Sequence, residues 1–147
     1  MASQLAVFVR RRFRASQESV FRAFTEPSLL TQWFSPSEDI GVEVLEHNFS
    51  IGGRYRFGFR FPDGHRNTVL GEFREISAPD RLVFTWTWEA PDRHAGIETL
   101  VIVRIEQIGS ETEVVVTHER FPSWESRDRH DAGWTTTLYR LEALIGK

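Results

Sequence analysis

The sequence predicts an α+β fold: a curved antiparallel sheet of about seven strands, two short helices after strand one, and a long C-terminal helix across the sheet. Two aromatic runs supply most of that prediction. Tyr55, Phe57, Phe59 and Phe61 alternate in one, and Leu82, Phe84, Trp86 and Trp88 alternate in the other. A period of two places each set on one side of a strand. The third observation is a change of period near the C-terminus. From about Asp128 to Ile145, the residues Trp134, Leu138, Leu141 and Ile145 recur at helical spacing, which makes one apolar stripe able to cover the aromatic face.

The elements follow in order. Leu5 to Phe13 reads as a strand with Leu5, Val7, Val9 and Phe13 on one face. Ser16 is an N-cap for a short helix through Val20, Phe21, Ala23 and Phe24. Glu26-Pro27 interrupts it, because proline disfavours helical geometry in the residue before it, yet Pro27 suits the first position of a second helix ending near Phe34. Val42 to Phe49 is the next strand, and Ile51-Gly52-Gly53 turns or bulges into Arg54 to Phe61. Pro62-Asp63-Gly64 predicts a hairpin into Thr68 to Ile76. Ala78-Pro79-Asp80 leads to Leu82 to Glu89, and a polar stretch, Ala90 to Gly96, precedes Thr99 to Gln107. Thr112 to Glu119 closes the meander with Val114, Val116 and His118 on one side. Ser126 or Asp128 is the candidate cap of the last helix and Gly146 its end. Gly133 stands out within it, since glycine in a helix costs up to ~1 kcal/mol; close approach to the sheet or a bend would account for it.

The 147 residues read as one domain, 1–147, with no internal linker. There are no cysteines, which excludes disulfides, thiolate metal sites and cysteine nucleophiles. The five histidines lack metal-ligand spacing, and no nucleophile elbow or phosphate-cradling loop occurs, so no metal or other cofactor is implied. Met1 to Val9 does not read as a signal peptide, and no apolar run approaches the ~20 residues that span a bilayer. The expectation is a soluble, cytoplasmic chain with no membrane partner. The net charge of −3 argues against nucleic acid. Arg10, Arg11, Arg12 and Arg14 cluster, but alternation splits them between two faces, as a solvated edge or an anion site.

A set of short motifs resembles one family in order and over nearly the whole chain. Arg11 and Phe13 precede Ala15, then Val20 through Pro27 leads to Trp33-Phe34. Gly52-Gly53, Gly71 with Glu75, Arg81 through Thr85, Thr117-His118-Glu119 and Gly133-Trp134 follow. The chain is similar to the bacterial homologues of the activator of the heat-shock-protein-90 ATPase. They lie within the superfamily of START domains, birch-pollen-allergen-like proteins and polyketide cyclases. The resemblance implies the START/Bet v 1-like helix-grip fold.

A helix that stands off a concave sheet leaves room for a guest. By alternation Phe57, Phe59, Phe73, Trp86, Trp88 and His118 face inward, while Trp33, Trp134 and Leu138 reach them from the helices. Arg11, Glu75 and His118 share parity with these apolar neighbours and are the polar candidates. Core packing is the competing account of the aromatics and of His118. An Arg11–Glu75 ion pair would equally explain those two charges. The leading expectation is binding of a small hydrophobic or aromatic molecule. The alternatives are a cyclase-like pocket enzyme using His118 and Glu75, and a chaperone-related interaction module. Val115 and Ile102, on the outer parity, suit a homodimer contact.

Overall fold

Alternation along the strands becomes alternation in burial. In the computed structural model, which describes residues 5–146, every second residue from Thr112 to His118 is buried and those between are half-exposed. Residues 1–4 of the segment read for a signal peptide, and Lys147, lie outside the described range. The elements are β1 (Val7–Phe13), α1 (Gln17–Thr25), α2 (Pro27–Trp33), β2 (Gly41–His47), β3 (Arg54–Arg60), β4 (Arg66–Ser77), β5 (Arg81–Trp88), β6 (Thr99–Ile108), β7 (Glu111–Glu119) and α3 (Trp124–Ile145). The strands form one antiparallel sheet in the order β1-β7-β6-β5-β4-β3-β2. β2 to β7 is therefore a continuous meander, and β1 closes onto β7. This is the α+β helix-grip architecture expected from the sequence.

Local chemistry sets the helix ends. The Ser16 hydroxyl accepts the Ser19 N–H at 3.1 Å and caps α1. Glu26 is extended (φ −92°, ψ 122°), as the residue before proline prefers, and joins α1 to α2. The Trp33 indole then donates to Ala23 O at 3.0 Å, locking the two helices together with the ring fully buried.

α3 begins earlier than the apolar stripe indicated. Ser123, rather than Ser126 or Asp128, is the N-cap, accepting the Ser126 N–H at 3.1 Å. The added turn carries the exposed Trp124 and Glu125, so a hydrophobic period could not reveal it. Among the described residues no helix is long and apolar enough to cross a membrane.

Two register shifts bend the sheet, one between Val44 and Glu46 in β2 and one between Phe73 and Glu75 in β4. A bulge adds one residue to one strand, increases local twist and reverses which residues face inward beyond it. Near the second bulge the Tyr55 ring lies against Gly71, and its hydroxyl donates to Thr85 O. A Cβ at Gly71 would run into both that carbonyl and the tyrosine ring. Gly71→Ala is expected to lower stability by about 2 kcal/mol or more, through overpacking against fixed backbone. Chemical denaturation measures this, and an unchanged midpoint would contradict it.

Candidate functional site

The concave face of the sheet does not close completely against α3. A cavity of about 360 Å³ lies between β3, β4, β5 and the N-terminal half of α3, roofed by Phe34-Ser35-Pro36 just after α2. Its apolar wall is aromatic: Phe34, Phe59, Phe61, Trp86, Trp88 and Trp134. The Trp86 ring packs edge-on to Trp88 at 5.6 Å and tilted to Trp134 at 5.8 Å. Phe34 meets Trp134 edge-on at 5.7 Å. These arrangements are favoured by ring quadrupoles, and they hold the wall rigid without a guest.

Two indole-to-imidazole hydrogen bonds join helix and sheet beneath and beside the cavity. Trp134 of α3 donates to His118 Nδ1 of β7 at 3.0 Å. In the opposite sense, Trp88 of β5 donates to His130 Nε2 of α3 at 2.9 Å. An indole nitrogen can only donate, so the accepting imidazole nitrogen carries no proton and each tautomer follows. His118 Nε2–H donates to Thr99 Oγ1 at 2.7 Å, and that hydroxyl donates to Trp86 O at 2.8 Å. His130 Nδ1–H donates to Ser126 O at 2.7 Å. Both histidines are neutral and have both ring nitrogens engaged.

Their titration reflects this setting. Burial, aided by nearby His130, holds His118 well below the usual histidine range. Burial pushes His130 down to about 4, with Arg129 assisting and the bond to Ser126 O opposing. The unfolded chain takes up these protons near pH 6.5, whereas the native state does not. Stability is therefore complete above that pH and falls as pH drops from about 6.5 toward 4, by at most ~1.4 kcal/mol per unit for each such histidine. His47, also lowered by burial, acts in the same direction. Denaturant unfolding at pH 7.5, 6 and 5 should show a progressive loss; a flat profile would contradict it.

One rim of the cavity is ionic and self-neutralised. Both terminal nitrogens of Arg129 reach Asp92, at 3.1 and 2.6 Å, and its guanidinium lies over the Trp88 ring at 5.0 Å. Asn67 Nδ2 and the His94 N–H also donate to Asp92, each at 2.8 Å. Burial disfavours the Asp92 charge, but the bonds from Arg129, His94 N and Asn67 outweigh it and hold the carboxyl far below the usual carboxylate range. A second cavity of about 10 Å³, near the size that admits one water, lies beside Trp86, His94 and Thr99. Trp86 Nε1 and His94 Nε2 are buried there with no protein partner among the described residues.

Of the residues singled out from sequence, Phe59, Trp86, Trp88 and Trp134 line the main cavity. Phe57, Trp33, Leu138 and His118 are buried behind that wall. Phe73 lies in the same core but does not border the cavity, packing against Tyr55, Phe49 and Phe84. Arg11 and Glu75 are not brought together. Arg11 donates to Glu142 at 2.7 Å and lies over Tyr139 at 5.1 Å, along the C-terminal half of α3. Glu75 pairs with Arg81 at 2.9 Å, and its register partner is Val83, on the outer parity of β5, because the bulge after Phe73 reverses the alternation. The sequence reading did not single out Phe34, Asn67, Arg129, His130 or Thr137 for the wall. One available signal was the spacing of four from Ser126 through His130 and Trp134 to Leu138, continuing the helical stripe upstream in polar residues. Gly133 also lines the cavity, and a Cβ there would meet nothing within 4 Å. Open space, not close approach to the sheet, surrounds it.

Comparison with known proteins identifies the family and the fold. The family model described as Activator of Hsp90 ATPase homolog 1-like protein matches residues 14–146. The fold is similar to that of a protein from Chromobacterium violaceum, 23% identical over 95% of this chain and 96% of that one, with a TM-score of 0.82. It is likewise similar to the AHSA1 protein of Silicibacter pomeroyi, 26% identical over 94% and 95%, with a TM-score of 0.82. DynU16, a protein of the dynemicin biosynthetic locus, is 22% identical with a TM-score of 0.75; the match covers 94% of this chain and 46% of that one. No curated protein shows significant sequence similarity.

Proposed function

The chain belongs to the Activator of Hsp90 ATPase homolog 1-like family, and from that premise we propose that it binds a small, neutral, apolar or aromatic molecule between the sheet and α3. The observation that carries this reading is the aromatic cavity of about 360 Å³. That volume falls within the ~300–1,000 Å³ of small-molecule sites, at the lower end. It has room for a guest of two or three fused rings.

Electrostatics supports a neutral guest. The charges at the rim, Arg129 and Asp92, satisfy each other, and the two histidines are neutral. No charged group of the wall is left to pair with an ionised guest, and burying an unpaired charge is costly. Indole and phenyl rings set at steep angles present both faces and edges to a flat apolar molecule.

The enzyme reading has less support. A general acid or base must reach the substrate with a free lone pair or proton. His118 and His130 have both nitrogens committed, and Glu75 lies on the outer parity of the sheet.

Gly133 provides the test. Gly133→Ala is expected to stabilise the protein by about 0.5–1 kcal/mol, since alanine favours the helix and its methyl meets open space. Gly133→Leu is expected to fill the cavity and weaken binding of the neutral probe N-phenyl-1-naphthylamine, followed by its fluorescence, at least tenfold. If the wild-type protein does not bind the probe, or Gly133→Leu binds it equally well, the cavity is not the binding site.

A further inference from the structure

We propose that Thr137 orients the guest, and that the guest is an aromatic molecule bearing a hydroxyl or carbonyl oxygen where it meets α3. This deepens the binding reading above and rests on it. Three consecutive threonines occupy the middle of α3. Thr135 returns its hydroxyl to Asp131 O at 2.8 Å, and Thr136 returns its own to Ala132 O and Gly133 O, each at 3.2 Å. Such back-bonding to the preceding turn is the usual resource of a threonine inside a helix. Thr137 differs. The carbonyl four residues before it, that of Gly133, is already taken by Thr136, and its hydroxyl has no hydrogen-bond partner among the described residues. Yet Thr137 is only 6% exposed, and the space it borders is the cavity.

Packing does not require that hydroxyl. Valine has the same shape and would suit an apolar wall, so packing alone does not account for a hydroxyl that the cavity leaves open to water or to a guest. The other polar groups of the wall are largely committed. Arg129 is bound to Asp92, His130 to Trp88 and Ser126, and Ser35 to Ser37 and Arg140. Across from the helix, Asn67 gives its amide nitrogen to Asp92, which leaves its carbonyl oxygen without a donor among the described residues. A hydroxyl can both donate and accept, so Thr137 suits a guest oxygen of either kind. Asn67 offers a second acceptor for a guest hydroxyl.

The test compares two neutral guests that differ by one hydroxyl, naphthalene and 2-naphthol, as competitors for bound N-phenyl-1-naphthylamine. Wild-type protein should prefer 2-naphthol. Thr137→Val should reduce that preference, read as the ratio of the two affinities, roughly tenfold, the loss of one hydrogen bond. Thr137→Ser, which keeps the hydroxyl, should retain it. Should Thr137→Val fail to fold, Thr137→Ala against Thr137→Ser makes the same comparison. An equal preference in the wild-type and hydroxyl-free proteins, with both guests binding, would overturn the role of Thr137 and leave the binding reading standing. Failure of both guests to compete would overturn the two together.

Discussion

The reciprocal pair of tryptophan–histidine hydrogen bonds between α3 and the sheet is the constraint on which the cavity depends. Trp134 reaches down from the helix to His118, and Trp88 reaches up from the sheet to His130. Each bond spans an indole and an imidazole, so together they hold the helix at a fixed standoff. A helix packed through aliphatic side chains alone could settle closer, as interiors generally do. Here settling would break one buried and one half-buried hydrogen bond, and stranding the buried donor of Trp134 costs about 1–3 kcal/mol. The bonds also require both histidines to remain neutral, which couples the architecture to pH. Space, protonation state and helix placement are thus one property.

The fold was legible in the sequence because burial follows the two simplest periods. Alternation located every strand, and the stripe from Trp134 to Ile145 located α3. The cavity was half legible, for a reason that Phe59 and Phe73 illustrate. Both face inward, but Phe59 borders the cavity while Phe73 packs against Tyr55 and Phe49. Parity reports the face of a strand and not which stretch of it lies under the standing-off part of the helix. Glu75 shows a second limit. One extra residue after Phe73 reverses the alternation, and no residue type at that point announces it. Arg11 has the inward parity expected, yet its partner Glu142 comes from the C-terminal end of α3, a pairing that needs tertiary placement.

His130 was hidden by the habit of reading helices through apolar residues alone. It follows Ser126 and precedes Trp134 and Leu138 at intervals of four, and all four are buried. A histidine on that stripe reads as a polar interruption unless its partner is known, and Trp88 is 42 residues away in sequence. The Asp92–Arg129 pair was obscured similarly. Asp92 lies in the stretch read only as polar, Ala90 to Gly96, where its charge organises Asn67, His94 and Arg129.

The departures from local preference in α3 converge on one place. A glycine weakens a helix, and β-branched threonines are poor helix formers. Gly133 and Thr137 both open onto the cavity. Elsewhere the helix is regular: Ser123 caps it and Leu138 and Leu141 are fully buried. Sequences tend to agree with their folds at every level except where function asks otherwise. If the interior served only as a core, a larger residue at 133 and valine at 137 would add packing, helix propensity and burial at once. Retaining the smallest residue beside open space, and a hydroxyl without a protein partner one turn later, favours a site shaped around a guest.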